Sequence, residues 1–150
     1  MESHEIRDSL RQADRSEAAP WIDYPPTPRW YPIATGVWAA ALTVAFTALE
    51  DGLRLLVLLA LIGAELAFVR WYVRYRGGVM PTGPAPREFR RAITLFVLGA
   101  VTVVGGAYLL IVTVSPWVAA GYVLVSTMAV IAWYEHAYAD AARRTRKRLA

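Results

Sequence analysis

Long apolar stretches separated by short polar ones dominate the pattern of this chain. A helix needs roughly 20 residues to cross a bilayer core of about 30 Å, and four stretches approach or reach that length. They cover residues 31–49, 53–72, 92–114 and 117–134. The pattern therefore predicts an all-α fold, a four-helix transmembrane bundle.

The connections between these segments predict how the helices pair. Residues 50–52 join the first and second segments, and residues 115–116 join the third and fourth. Turns this short make consecutive helices antiparallel neighbours, so we expect two antiparallel helical hairpins. The inner loop over 73–91 is rich in glycine and proline, which predicts a flexible hinge between the hairpins.

Charge divides the chain into three parts and orients the predicted bundle. A polar, proline-bearing arm covers residues 1–29, the transmembrane domain covers 30–138, and a basic tail covers 139–150. Of the 16 basic residues, all except Arg54 lie in the arm, the tail, or the inner loop and its flanks. Because Lys and Arg favour the cytoplasmic side, we expect both termini and the inner loop in the cytoplasm. The excess of Arg, Ala and Val suggests a GC-rich bacterial genome, so the expected location is a bacterial plasma membrane.

The arm itself has two parts. Residues 3–18 place Ile6, Leu10 and Ala13 at helical spacing, which is compatible with a short surface helix and equally with disorder. The run over 20–32 contains five prolines and is expected to be extended. The arm lacks the apolar core of a signal peptide, so we expect the N-terminus to be retained.

Glu65 is the charged residue that lies deepest in a predicted span. A carboxylate in hydrocarbon is costly and rarely faces lipid, so Glu65 should be neutral, paired or open to water. Its candidate neighbours are Trp38, Tyr72 and Trp133. A structural carboxyl, a proton carrier and a side chain that reaches back to the cytoplasm all fit this position.

Helical periodicity around Glu65 predicts which side of the second segment packs. At about 100° per residue, Ala60, Gly63 and Ala67 lie on the face opposite Glu65. Small residues allow close helix contacts in membranes, so we expect packing on that face. Since Glu65 should also avoid lipid, the helix needs protein on two sides. This requirement favours a homo-oligomer or a membrane-protein partner.

Polar residues recur where the fourth segment leaves the membrane. Glu135 and His136 are expected to form an interfacial polar pair, with a proton relay as the sharper alternative. The aromatic residues crowded at this boundary predict an interfacial belt, or a vestibule leading to Glu65. The other histidine is His4 in the arm and the chain has no cysteine, so we expect no metal site and no cofactor.

The tail predicts a lipid contact. Its cationic side chains should lie near the inner leaflet, where each contributes about 1 kcal/mol of attraction to anionic lipid. No folded module of aromatic and basic residues accompanies them, so no nucleic-acid partner is expected. The residues concerned are Arg143, Arg144, Arg146, Lys147 and Arg148.

Three stretches give the chain a resemblance to small four-span membrane proteins of actinobacteria. They are the run 28–32 before the first segment, the run 74–78 in the inner loop, and the Arg-rich tail after Tyr134. The resemblance is one of layout, covers most of the chain, and implies four spans but no activity. The chain is also similar to the small multidrug resistance family in its four short spans and one membrane glutamate. That family has the glutamate in its first span and a weak charge bias, and this chain departs from it on both points.

These observations predict a non-enzymatic integral membrane protein. We expect a scaffold or accessory subunit in an oligomer or a larger membrane complex, because the chain lacks recognisable catalytic motifs. A small proton-coupled, multidrug-type exporter that uses Glu65 is the alternative. A third hypothesis is a protein that tethers a regulator to the membrane through its arm.

Overall fold

The structure is a computed structural model that describes residues 2–23, 26–75 and 85–149. These residues form five α-helices and no strand, which confirms the all-α prediction for the described part of the chain. The helices are α1 (Glu2–Ile22), α2 (Tyr31–Thr47), α3 (Asp51–Tyr75), α4 (Arg87–Thr113) and α5 (Pro116–Leu149). The predicted hinge in the inner loop lies largely outside the described residues.

Three of the helices are long and apolar enough to cross a membrane. They are α3, α4 and α5, with mean hydropathies of 2.2, 2.4 and 1.6 over their most apolar stretches. Helix α2 is also apolar but has 17 residues, which makes it about 25 Å long. The structure therefore shows three helices of spanning length, where the sequence predicted four spans.

Proline and short turns explain where the helices begin. Pro32 and Pro116 lie in the first turns of α2 and α5. Backbone N–H groups in a first turn have no acceptor within the helix, so proline, which lacks this group, costs no hydrogen bond there. Ser115 caps α5, because its Oγ accepts a hydrogen bond of 3.2 Å from the N–H of Val118. Side-chain acceptors of this kind satisfy the free N–H groups of a first helical turn.

Helix α5 is the centre of the structure. Among the described residues, α5 packs against α1, α2 and α4, while α3 packs against α2. The membrane-length part is therefore a row in the order α3, α2, α5, α4. A closed four-helix bundle would also need extensive contacts between α3 and α4, which the described residues do not show. We call the end of the row that carries α1 and the tail the basic end, and the other end the turn end.

Glycine allows α2 and α4 to approach α5 closely. A Cβ atom added at Gly36 on α2 would lie 2.8 Å from the backbone oxygen of Leu124 on α5. On α4, a Cβ added at Gly106 would lie 2.5 Å from the hydroxyl oxygen of Tyr122. Both distances are shorter than normal contacts, so a larger residue would displace the α5 backbone at Gly36 and the Tyr122 side chain at Gly106.

The N-terminal arm is helical and packs on the C-terminal half of α5. The Trp21 ring lies 5.5 Å from Phe89, and Phe89 lies 4.8 Å from Tyr138, measured between ring centroids. The Tyr138 hydroxyl also donates a hydrogen bond of 2.8 Å to the Trp21 carbonyl oxygen. Phe89 and Ala141 are fully buried in this cluster. Of the two alternatives for the start of the arm, the structure shows the helix.

The expectation of an extended run over 20–32 is wrong at both ends of the run. Pro20 lies inside the last turn of α1, next to Trp21, which packs on Phe89 and accepts a hydrogen bond from Tyr138. Tyr31 and Pro32 begin α2, where proline is compatible with a helix. Between the two helices, residues 26–28 have no regular structure.

Candidate functional site

Glu65 lies on the side of α3 that faces α2. Its side chain is half-buried, and it is close enough to Tyr31 to act electrostatically on that hydroxyl. One turn away, the Trp38 Nε1–H donates to the Leu61 carbonyl oxygen over 3.4 Å. The Tyr72 ring stacks on Tyr31 at a centroid distance of 5.8 Å. Two of the three predicted neighbours, Trp38 and Tyr72, thus lie at the same helix interface as Glu65.

The packed face of α3 is the reverse of the predicted one. Ala60, Gly63 and Ala67 are exposed rather than in contact with a neighbouring helix. Apart from atoms of its own helix, no atom of the described residues lies within 4 Å of a Cβ added at Gly63. The Phe68 ring instead stacks on Tyr31 at 5.8 Å. Aromatic rings provide a large contact area, so they determine the face that α3 turns toward α2.

Trp133 lies on the α4 side of α5, so the structure does not bring this predicted neighbour to Glu65. It lines a surface hollow of about 250 Å³ together with His136, Arg91 and Arg144. Helix α3, which carries Glu65, packs on the other side of the row against α2. Trp133 and Glu65 therefore belong to different surfaces.

The Glu135 and His136 side chains lie on different sides of α5. Successive helical residues point about 100° apart, and here the two side chains line different spaces. His136 is exposed in the hollow beside α4. Glu135 is half-buried and accepts a hydrogen bond from the Thr27 hydroxyl. A proton relay between them, the alternative to an interfacial polar pair, would need the two groups on one side of the helix.

The basic end contains a cavity of about 660 Å³, which Glu135 lines. We call it the aromatic cavity, because tyrosine, tryptophan and phenylalanine side chains from the arm and from four helices form much of its wall. Arg143 and Arg146 line it two to three turns beyond Glu135 on α5. Its aromatic residues are Trp21, Tyr31, Tyr72, Phe96, Tyr134 and Tyr138.

An apolar groove of about 510 Å³ runs between α2 and α4, with α5 as its floor. Thr35 and Thr43 line it, but their hydroxyls donate hydrogen bonds of 3.0 Å to carbonyl oxygens of their own helix. The groove therefore presents an almost wholly apolar surface. Thr35, Phe96 and Ile131 line both the groove and the aromatic cavity. The two spaces therefore adjoin at these three residues.

Part of the positive charge of the tail is compensated within the chain. The Arg146 Nη2 donates to the Ile22 carbonyl oxygen over 2.7 Å and lies 3.6 Å from the Asp23 carboxylate. The Arg148 Nε lies 2.8 Å from the Glu88 carboxylate, which is largely buried. These contacts join the tail to α1 and to the start of α4.

The remaining three cations of the tail are more exposed. Arg143 forms an ion pair with Asp140, one turn earlier on α5. Arg144 and Lys147 are exposed to solvent. The lipid contact expected of the whole tail therefore stays a prediction, and it falls mainly to these exposed side chains.

Sequence reasoning did not identify the aromatic cavity. Its wall combines Trp21 and Thr27 of the arm with Tyr138 and Glu135, which lie 117 and 108 residues later in the chain. The crowd of aromatic residues at this boundary was the available signal, and it was attributed to a belt or to a vestibule for Glu65. Only the packing of α1 on α5 brings the two groups together.

Comparisons with known proteins add no further constraint. No protein family, curated protein or solved structure matches the chain. Within the described residues, no group of three or more His, Cys, Asp or Glu side chains is placed to hold a metal ion.

Proposed function

We propose that the protein is a non-enzymatic membrane scaffold subunit that associates with a second copy of itself through α3. The observation that supports this proposal is the one-sided packing of α3. This helix has spanning length and hydropathy, yet none of its residues is buried by the part of the chain that the structure describes. Its small residues, Ala60, Gly63 and Ala67, remain open on one face.

The use of glycine elsewhere in the chain supports this choice of interface. Gly36 and Gly106 mark positions where α2 and α4 come close to α5. Small residues serve this purpose in membranes because they let two backbones approach. Gly63 is a residue of the same kind with open space beside it. A second α3 fits that space, and symmetric dimers are the commonest soluble oligomers.

The proposed topology has four spans with both termini in the cytoplasm. Helix α2 leads from the basic end to the turn end, and α3 returns to the basic end. Because α2 packs on both α3 and α5, α2 and α3 both cross the membrane when the row of helices is inserted. At about 25 Å, α2 is short for a core of about 30 Å, and local thinning of the bilayer accommodates such a mismatch at modest cost. Because Arg and Lys favour the cytoplasmic side, the basic end lies in the bacterial cytoplasm in this proposal.

The exporter that uses Glu65 is the less well supported alternative. Its carboxylate would need to meet a substrate in a space open to both sides of the membrane. Glu65 lies on the side of α3 that faces α2, and it lines neither the groove nor the aromatic cavity. A proton-handling role for Glu65 stays a prediction. Transport that is unchanged in the Glu65→Gln variant would exclude it.

Cross-linking of single cysteines tests the α3 interface. The chain has no cysteine, so Gly63→Cys and Ala67→Cys each introduce one unique thiol. Oxidation in native membranes should link two copies through these positions. Val104→Cys is the matched control, since Val104 is 70% exposed on α4 and should give little dimer.

Two results would overturn the proposed interface. Equal cross-linking at residues 63 and 104 would indicate random collision in the membrane. Monomeric protein in detergent and in nanodiscs, without cross-links at either α3 position, would exclude self-association. A cross-link from residue 63 to a different membrane protein would show that this protein, and not a second copy of the chain, packs on α3.

A further inference from the structure

Six aromatic side chains and one carboxylate converge on the aromatic cavity. Tyr31 and Tyr72 form one wall and are stacked at 5.8 Å. On the other side Tyr134 lies 4.7 Å from Phe96 and 5.9 Å from Tyr138. The faces of such rings carry partial negative charge and attract organic cations, and aromatic cages bind quaternary ammonium groups in this way.

The charges around the inner part of the cavity also favour a cationic ligand. Glu135 is half-buried in the lining and accepts a hydrogen bond from Thr27. No cation of the described residues forms an ion pair with it. Glu65 does not line the cavity, but it lies near Tyr31 on the neighbouring helix α3, so a second carboxylate borders this region.

The two arginines that line the cavity do not reverse this preference. Arg143 pairs with Asp140, and Arg146 is held by the Ile22 carbonyl oxygen and by Asp23. Both arginines lie about 12–16 Å beyond Glu135 along α5. Their charges are therefore compensated, and they lie at the far end of the cavity from the groove.

The groove supplies a place for an apolar substituent. It meets the cavity at Thr35, Phe96 and Ile131. Along α2 it extends from Thr35 to Thr47, which is roughly 18 Å. Thr47 is the last residue of α2, so an alkyl chain in the groove would run toward the turn end while its head group reaches Glu135.

We infer that the aromatic cavity and the groove together bind a lipophilic organic cation, with an ammonium head group beside Glu135 and the aromatic rings and an alkyl chain between α2 and α4. This site is distinct from the α3 surface and does not rest on self-association. A monomeric protein would bind the same ligand, so failure of one proposal leaves the other intact.

Three probes with the same alkyl chain test the charge preference. Decyltrimethylammonium, decyl alcohol and decyl sulfate are each equilibrated below micelle-forming concentrations with the full chain in nanodiscs. Binding to protein-free nanodiscs is subtracted to remove partition into lipid. We expect saturable binding of the ammonium compound, and affinities at least about tenfold lower for the other two, because each loses the charge-assisted contact with Glu135.

Matched variants test which residues form the site. Glu135→Gln should weaken binding of the ammonium compound about tenfold or more, while Glu135→Asp should retain most of it. Asp51→Asn is the control for charge, because Asp51 is exposed at the turn end. Ala100→Phe should fill the groove and abolish binding, whereas Val101→Phe, on the exposed face of the same helix, should not.

Two results would contradict the binding of a lipophilic cation. Equal or tighter binding of decyl sulfate would overturn the inference and assign the site to an anionic lipid. Unchanged affinity in both Glu135→Gln and Ala100→Phe would also overturn it. Helix content and size-exclusion profiles verify the folding of each variant. If Glu135→Gln does not fold, the comparison of Ala100→Phe with Val101→Phe decides the result.

Discussion

Single residues set how close the helices come and which groups face each other. Gly36 permits contact between the α2 and α5 backbones, since a Cβ there would meet the Leu124 oxygen at 2.8 Å. At the basic end, the step of one residue from Glu135 to His136 separates a half-buried carboxylate from an exposed imidazole. In both cases one position along the helix decides between contact and exposure.

The first prediction concerns Gly36. We expect Gly36→Ala to destabilise the protein by about 2 kcal/mol, because the added methyl group meets a backbone atom that cannot move alone. Gly105→Ala is the control, since the described residues leave open space around its Cβ position. Gly105→Ala should leave the free energy of unfolding unchanged or raise it by up to about 1 kcal/mol, because alanine has the better helix propensity. Thermal unfolding in detergent measures both, and equal stabilities would contradict the packing of α2 on α5.

Helices differ in how firmly they are held. Helix α5 packs against three others, whereas α3 packs against α2 through its aromatic face. Helix α1 lies outside the row and is attached by a small cluster around Trp21, Phe89 and Tyr138. Such peripheral elements open at lower free energy than a core does. We therefore expect α1 to detach before the row unfolds.

The second prediction tests the attachment of α1. Trp21→Ala removes the ring that contacts Phe89 and should weaken the docking of α1 by about 2 kcal/mol. Amide hydrogen exchange in α1 should then become faster while exchange in α5 changes little. Gln12→Ala, at an exposed position on the same helix, should leave exchange unchanged. Slow exchange in the Trp21→Ala protein would show that α1 is held by other contacts.

The third prediction concerns the ion pair between α4 and the tail. The Arg148 Nε lies 2.8 Å from Glu88, and their side chains are 34% and 13% exposed. A double-mutant cycle with Glu88→Gln and Arg148→Gln should give a coupling free energy of about 1 kcal/mol, the upper part of the range for partly exposed pairs. The pair of Lys147 with Glu88 provides a control cycle, for which coupling near zero is expected. A coupling near zero for Arg148 as well would mean that the pair does not stabilise the tail.

At the scale of the whole molecule, the helices form an open row with α5 at its centre. The groove between α2 and α4 follows from this arrangement, since both helices pack on α5. The tail and α1 cover the basic end, while the turns at 48–50 and 114–115 form the other end. This asymmetry gives the molecule one strongly basic end and one end where Glu50, Asp51 and Arg54 are the charged residues.

The fourth prediction concerns membrane topology. In cells, Glu50→Cys and Ser115→Cys should react with a membrane-impermeant maleimide, because both turns lie outside in the proposed topology. Ser9→Cys and Lys147→Cys should react only after permeabilisation. If α2 did not cross the membrane, residue 50 would instead be protected. Labelling of residue 147 in intact cells would reverse the proposed orientation.

Apolar segment lengths, short turns and the clustering of charge are local properties, and they were readable without a structure. They correctly predicted helices close to residues 31–49, 53–72, 92–114 and 117–134. The limits of the helices differ mainly at their polar ends, where the final helix continues through the basic tail to Leu149.

Which face of each helix packs was decided by the tertiary structure. Lipid solvates an apolar face about as well as protein does, so hydropathy does not mark the buried side of a membrane helix. This is why Gly63 was predicted in contact and is exposed, while Phe68 packs on Tyr31. The aromatic cavity was also beyond reach, because Thr27 and Glu135 meet only when the arm folds back on α5. Long-range contacts of this kind depend on the whole set of competing faces, which no local pattern contains.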